Sequence, residues 1–317
     1  MSIPARTPKV LVLGGTGFVG RHAVAALKAR GARPIVGTRA PNRPRWRLPR
    51  EVHGLERRAV QHERCLTPED WQPLLADVDA VINAVGILRP RGRATYERVH
   101  HLAPAALARA CLHFNIPLIH VSALGLRADA RSRFLSSKKR GEHALFAAQA
   151  DIVIVRPSLL IGPGGFGARW IARVANWLVH PLPTSARSRI SAFRVEELGL
   201  CLATLACMPR AQRRRYQNCA ELGGPSLTTM SGLLLALRTH PFRPFNLRIP
   251  AWVARLIAHV CDALHITPYS YGHFELLLRD NAPAVNVATR LLGHPPTHVA
   301  LYEKKQRQKL RAATAVR

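Results

Sequence analysis

The chain has 317 residues, 48% of them hydrophobic and 21% charged, an ordinary globular balance that excludes a disordered chain and leaves material for a sizeable core. Lys and Arg number 47 against 18 Asp and Glu, giving a formal charge of +29 that must attract polyanions. The excess is mostly Arg scattered along the whole length, so three readings stand: a basic solvated surface, attraction to an anionic membrane, and nucleic acid, which so diffuse a distribution suits least.

The N-terminal half alternates strand and helix. Val10 to Leu13 is an apolar run ending in Gly14, Gly15 and Thr16, and His22 to Arg30 reads as an Ala-rich amphipathic helix stopped by Gly31. Pro34 to Thr38 is a second strand, followed by a long Arg/Pro-rich loop. Weak strand character at Leu55 to Gln61 precedes a helix from Pro68 to Ala76. A fourth strand, Ala80 to Ala84, runs toward Gly86; a helix from Tyr96 to Phe114 and a strand from Leu118 to Ser122 come next. The alternation continues with a helix from Ser137 to Gln149 and a strand from Ile152 to Val155. Such a βα succession with short connections predicts a Rossmann-type doubly wound parallel sheet over residues 1–160, with a smaller, mainly helical lobe over 161–317. Helices expected in that lobe are Ala168 to Val179, Glu196 to Met208, Met230 to Arg238 and Trp252 to Leu264.

Gly14, Gly17 and Gly20 form GxxGxxG between a strand and a helix. The first allows a tight turn, the second lets backbone approach a pyrophosphate, and the third lets helix and strand pack closely, with phosphate at the positive helix N-terminus. An NAD site commonly ends its second strand in Asp or Glu for the ribose hydroxyls; this chain has Thr38 and Arg39 there. A guanidinium suits a 2′-phosphate, and Arg21 and Arg43 are near in sequence, so NADP(H) is favoured over NAD(H), unless these arginines simply belong to the general excess.

Six cysteines (Cys65, Cys111, Cys201, Cys207, Cys219, Cys261) form no CxxC pair and read as reduced, mostly buried thiols. The 15 histidines show no HExxH or similar spacing, so no metal site is expected. No stretch of about 18 apolar residues lacks a charge, and MSIPARTPKV runs straight into a strand without the parts of a signal peptide. A cytoplasmic location is expected, extended by peripheral attachment to the inner face of a membrane. Two segments suit that attachment: RWIARVANWLVHPL, which as one helix would place Trp170, Ile171, Val174, Trp177 and Leu178 on one face, and the basic tail Glu303 to Arg317. The first equally suits a lobe-packing helix or the wall of a lipophilic pocket, and the second a solvated helix end.

The segments GGTGFVGRH (Gly14 to His22), VINAVGIL (Val81 to Leu88), HVSALG (His120 to Gly125) and RPSLLIGPG (Arg156 to Gly164) resemble the atypical short-chain dehydrogenase/reductases of NAD-dependent epimerase/dehydratase type. ITPYSYGHFELLLRDN (Ile266 to Asn281) and LLGHPPTHV (Leu291 to Val299) are similar to the branch containing the nucleotide-binding accessory subunit of respiratory complex I. The resemblance implies cofactor contacts from Gly14, Gly15, Thr16, Gly17, Phe18, Val19, Gly20, Arg21 and Arg39, then Asn83, Ala84, Val85 and Gly86, then Lys138, Pro157 and Ser158. It also implies Ser122 as the active-site serine and Lys138 as the lysine of Tyr-x-x-x-Lys, whose tyrosine position is held by Phe134.

A phenyl ring neither gives nor takes a proton, so the enzyme reading is an oxidoreductase of atypical chemistry on a hydrophobic carbonyl or quinone-like substrate, its proton drawn from water, Ser122 or a histidine. The alternatives are a non-catalytic nucleotide-binding module at a membrane or protein complex, and a nucleoside-diphosphate-sugar epimerase or dehydratase. A further departure lies after the third strand, where Arg64, Cys65 and Leu66 stand in place of the adenine-contacting Asp of many relatives.

Overall fold

In the computed structural model, residues 7–299 are described, apart from Ala128, Asn218, His265, Ile266 and Pro268. In chain order the named elements begin with β1 (Lys9–Leu13), α1 (Phe18–Ala29), β2 (Arg33–Thr38), β3 (Arg57–Ala59), α2 (Pro68–Leu75) and β4 (Ala80–Asn83). Then come α3 (Ala103–His113), β5 (Leu118–Val121), α4 (Arg133–Ala147) and β6 (Ile152–Pro157). Beyond these lie β7 (Leu160–Ile161), α5 (Phe166–Ala175), β8 (Val179–Pro183), β9 (Arg189–Ile190), β10 (Phe193–Arg194), α6 (Val195–Cys207) and α7 (Arg210–Arg213). The last are β11 (Ala220–Leu222), β12 (Thr228–Thr229), α8 (Met230–Leu237), β13 (Phe245–Ile249), α9 (Ala251–Leu264), α10 (Tyr271–Leu277) and α11 (Ala288–Leu292).

The main sheet has the order β11-β6-β5-β4-β1-β2-β3, the strand order of doubly wound dinucleotide folds, and its pairs from β6 through β3 are parallel. The sequence dictates this arrangement. Strands such as VLVL and VIVR are buried along nearly their whole length, as strands covered on both faces must be, and antiparallel alternation of apolar and polar residues is missing. Leu11, Leu13, Ile35, Val81, Leu118 and Ile154 pack with Trp71, Leu107 and Leu145 into one core under α2, α3 and α4. The order reverses at the β1/β4 junction, and there the C-terminal strand ends open a crevice.

The chain forms two compact units. One ends at Arg156 and takes back Val195–Ala220; the other comprises Pro157–Arg194 and the chain from Glu221 on. Helix α6, expected in the second lobe, therefore belongs with the first. The reason is steric: Gly199 lies so close to α1 that a Cβ there would sit 2.6 Å from the His22 carbonyl. Arg30 adds a hydrogen bond to Thr204 (2.6 Å), and the buried Arg213 guanidinium grips Asp151 (2.8 Å).

In the second unit, Ile161, Ala175, Ile190, Leu233, Leu234 and Leu237 make a smaller core. The segment RWIARVANWLVHPL is not one helix. It stops at Ala175, and Val179–Pro183 is a strand paired in parallel with β13. Arg238 donates to the Ala175 and Trp177 carbonyls (2.8 and 2.6 Å), and Asn176 accepts from the Thr239 and His240 amides, so the last turn is held open by partners far along the chain. Trp170 and Trp177 still meet, edge to face at 5.7 Å. Of the cysteines, Cys111 and Cys201 are buried, with burial pushing their thiols up, whereas the other four are half-buried, fewer in the core than expected. The basic tail from Glu303 lies outside the described residues.

Candidate functional site

The turn after β1 is built by three glycines with distinct duties. Gly14 has φ +71°, a left-handed conformation that L side chains resist, and its amide donates to Gly37 O (3.1 Å). Gly17 is the N-cap of α1, where a Cβ would come 3.0 Å from Gly14 O. At Gly20 the same oxygen would be only 2.2 Å from a Cβ, so the helix can rest on the turn only without a side chain. Among the described residues no side chain caps α1, and no acid occupies its first turn. Its positive end therefore faces the crevice with Thr16, Phe18 and Val19 half-buried around it, ready to receive an anion.

The end of β4 completes this floor. Ala84 N donates to Leu13 O (3.1 Å), and Asn83 Oδ1 accepts the Val85 amide (3.1 Å). That fixes the side-chain amide of Asn83, whose Nδ2 must donate to His120 Nδ1 (3.2 Å); the imidazole then carries its proton on Nε2. Gly86 is exposed, with nothing within 4 Å of a Cβ position. Arg39 stands exposed just past β2, the neighbour of β1. Arg21 is instead drawn toward Glu51 (3.8 Å) and His22 (3.4 Å), and the backbone of Arg43 serves Arg57.

Ser122 follows β5, its amide donating to Val155 O (2.7 Å). Its hydroxyl is buried and, among the described residues, has no hydrogen-bond partner. Leaving such a group unmade costs about 1–3 kcal/mol, which is tolerated where a ligand completes it. From α4, Lys138 Nζ lies 5.8 Å from the Phe134 ring centre, and burial lowers the ammonium to about 8 despite the opposing charge of Glu142. Glu142, fully buried, is itself held by Arg156 (2.8 and 2.5 Å).

Two residues around Phe134 escaped the sequence reading. Tyr96 and His100, four apart on one helical face, stack with each other (5.5 Å) and meet the Phe134 ring edge to face (6.0 and 5.6 Å). His100 Nε2 accepts the Ile87 amide (3.2 Å), so Nδ1–H donates to Ser137 Oγ (3.0 Å), whose proton goes to Phe134 O (3.0 Å). Burial, reinforced by Lys138, holds His100 well below its ordinary value and His120 at about 3. Both imidazoles are neutral at physiological pH. The signal available in sequence was the Tyr96/His100 spacing; His120, in HVSALG, needed the sheet register to bring it to Asn83.

Gly14 to Gly20, Asn83 to Gly86 and Ser122, at and just beyond the C-terminal ends of β1, β4 and β5, and Phe134 and Lys138, on α4, are thus all in the first unit. Pro157 and Ser158 belong to the second unit, where the Ser158 hydroxyl is committed to the Asn281 backbone and side-chain oxygens (2.7 and 2.8 Å). Among the described residues no group of His, Cys, Asp and Glu could hold a metal ion, and no helix is long and apolar enough to cross a membrane.

Residues 10–185 match the NAD dependent epimerase/dehydratase family. The chain belongs to that family. It is 30% identical over 201 residues to a protein of Caulobacter vibrioides named ceramide reductase, covering 63% of this chain and 61% of that protein. It is also 30% identical over 225 residues to the Arabidopsis thaliana mitochondrial NADH dehydrogenase [ubiquinone] 1 alpha subcomplex subunit 9, covering 69% of this chain and 54% of that protein. The chain therefore spans less than two thirds of the length of either relative. Among solved structures, MoeE5 in complex with UDP-glucose and NAD superposes with a TM-score of 0.65 over 96% of this chain and 99% of that one, at 18% identity, a likeness of fold. The doubly wound fold and the family resemblance read from the sequence are both borne out.

Proposed function

We propose that this family member binds NADP(H), in preference to NAD(H), in the crevice of the first unit and reduces the carbonyl of a hydrophobic lipid-like substrate. The observation that carries the reading is the buried Ser122 hydroxyl, unpartnered among the described residues, in the same unit and just past a strand of the same sheet as an uncapped helix start and a glycine turn that leaves no room for side chains. These residues fit a dinucleotide. The α1 amides would take the pyrophosphate, Arg39 the 2′-phosphate, and Lys138 the ribose hydroxyls. Reduced nicotinamide, when bound, supplies a hydride.

The protein's own groups handle the oxygen and the proton. Ser122 donates a hydrogen bond to the substrate oxygen and polarises it. Phe134 cannot relay a proton and the neutral imidazoles of His100 and His120 are poor acids, so the proton that completes the alcohol comes from water, directly or through the Ser122 hydroxyl, which water then reprotonates. The relative named ceramide reductase favours a lipid carbonyl over a quinone.

Phe134 itself favours a second reading, in which nucleotide stabilises the fold and the protein docks on a complex or membrane; binding alone supplies several kcal/mol of stability. The relative named as an NADH dehydrogenase subunit accords with it. A sugar-nucleotide epimerase or dehydratase normally needs the missing phenol and is the least supported. The excess of positive charge points to work at an anionic surface, inside the cell and peripheral to a membrane.

Titration with NADPH and NADH, followed by nicotinamide fluorescence, tests the cofactor: NADPH should bind at least tenfold tighter, and Arg39→Asp should reverse the order. If neither nucleotide binds, the proposal fails. Turnover of a long-chain ketone in detergent micelles then separates the two readings. Phe134→Tyr should raise the rate if the site is arranged for reduction, and should leave it at zero if nucleotide is purely structural.

A further inference from the structure

Helix α9 has two apolar sides, and among the described residues only one is covered. Ala254 and Ala258 are buried against Phe274, with Ile249, Tyr269 and Tyr271 alongside. At 100° per residue, Trp252, Leu256, Val260 and Leu264 fall on a stripe at right angles or more to that seam, and they are 71%, 57%, 47% and 60% exposed. Ile257 flanks them, also exposed. The polar residues keep to a third side, where Asp262 accepts the Tyr271 amide (2.9 Å), His259 stacks on Tyr271 (4.5 Å) and Arg255 lies 5.6 Å from the same ring. This is not the pattern of a solvent-facing helix, which buries its large side chains and exposes its small and polar ones.

The chain leading into α9 has the same character. Strand β13 is exposed along almost its whole length, with Phe245 at 67% and Leu247 also uncovered, and Phe242 before it is exposed at 69%. Its partner strand adds Val179, preceded by exposed Trp177 and Leu178. Between Phe242 and Leu264 the basic residues are Arg243, Arg248 and Arg255, all exposed, against one acid, Asp262, which is occupied by its hydrogen bond.

We infer that the stripe of α9, with Phe242, Phe245 and Leu247, is a docking surface for a phospholipid bilayer rich in anionic headgroups, into whose interface the α9 stripe and the exposed aromatics insert. Three features select this occupant. Aromatic and aliphatic side chains with arginines at their edge are the composition of an interfacial segment, apolar part in the acyl boundary and guanidinium at the phosphates. The chain's charge of +29 complements anionic lipid, and the same charge opposes a second copy of the chain on this face. Nucleic acid offers no counterpart for leucine and valine side chains. The proposal does not depend on the cofactor reading, since vesicle binding and NADPH binding are measured separately.

Flotation of the full chain with vesicles of phosphatidylcholine alone, or with 30 mol% phosphatidylglycerol, gives the direct measurement. The chain should float with the anionic vesicles and at least tenfold less with the neutral ones, and Trp252 emission should shift to the blue. The double variant Leu256→Glu/Val260→Glu, whose side chains are exposed and whose fold is checked by circular dichroism and NADPH binding, should lose at least tenfold in the bound fraction. Trp252→Phe should float as the parent does but reduce the spectral shift, the remainder coming from the neighbouring exposed Trp177. The inference is overturned if the parent ignores anionic vesicles, or if the double variant floats as well as the parent, which means that charge alone adsorbs the protein. It is equally overturned if sedimentation shows a concentration-dependent dimer that the double variant abolishes.

Discussion

The two units treat apolar surface in opposite ways. In the first, the strands of the sheet and helices α3 and α6 turn nearly every large side chain inward, and even charged groups such as Glu142, Asp151 and Arg213 are taken inside in bonded pairs. In the second, α9 and β13 leave Trp252, Leu256, Phe245 and Leu247 outside. The first unit gains its rigidity from completed burial, which a site that must position a nucleotide requires; the second keeps surface in reserve for something it meets.

Substitutions should therefore have very different costs in the two places. The largest expected effect is from Arg213→Ala, which takes the hydrogen-bonding guanidinium from the buried Asp151 carboxylate, leaving it the more distant Arg210 at 3.9 Å, and frees the Leu205 and Met208 carbonyls; a loss of about 3 kcal/mol in denaturant-measured stability is expected. Next is acid. His62, buried with its ring edge to face against Trp71 (5.4 Å), and His120 are held by burial at about 4 and about 3, below the roughly 6.5 of an unfolded chain, so the neutral forms favour folding and that contribution is complete above about pH 6.5. As pH falls below 6.5, the unfolded state takes up protons first, and stability should drop by about 1.4 kcal/mol per pH unit for each histidine, down to about pH 4 for His62 and about pH 3 for His120. Urea midpoints at pH 7.5, 6 and 5 give the slope, and His62→Gln should flatten it. The smallest effect is at Trp252→Ser, within about 0.5 kcal/mol, because an exposed side chain gives up little on removal. A loss of 2 kcal/mol or more there would show that the second unit buries this residue after all and erase the contrast.

Much of the first unit was legible because its signals are local. The run from Val10 to Gly20 states strand, turn and helix within one window, and the φ of Gly14 and the crowding at Gly20 are the reasons those positions are glycine. The surroundings of Phe134 were only partly legible: the four-residue spacing puts Tyr96 and His100 on one helical face, but that this face meets Phe134, and that His120 meets Asn83, is decided by tertiary packing. The segment from Arg169 to Leu182 misled for a related reason. Its apolar positions fit a helix, but Arg238 and Asn176 end that helix through bonds to residues some 60 positions apart, and the pairing with β13 decides the rest. Helix α6 was read correctly as a helix and assigned to the wrong unit, because periodicity reports which face is apolar and not what it will meet.

The return of α6 to α1 also sets a schedule for synthesis. The face of α1 around His22 and Ala23 is covered only when Gly199 arrives, roughly 180 residues later, with all of Pro157–Arg194 intervening. At 5–20 residues per second the ribosome needs about 10–35 s to deliver it. For that interval the nascent Rossmann half displays an unsealed face of α1, the kind of transiently exposed surface on which growing chains aggregate.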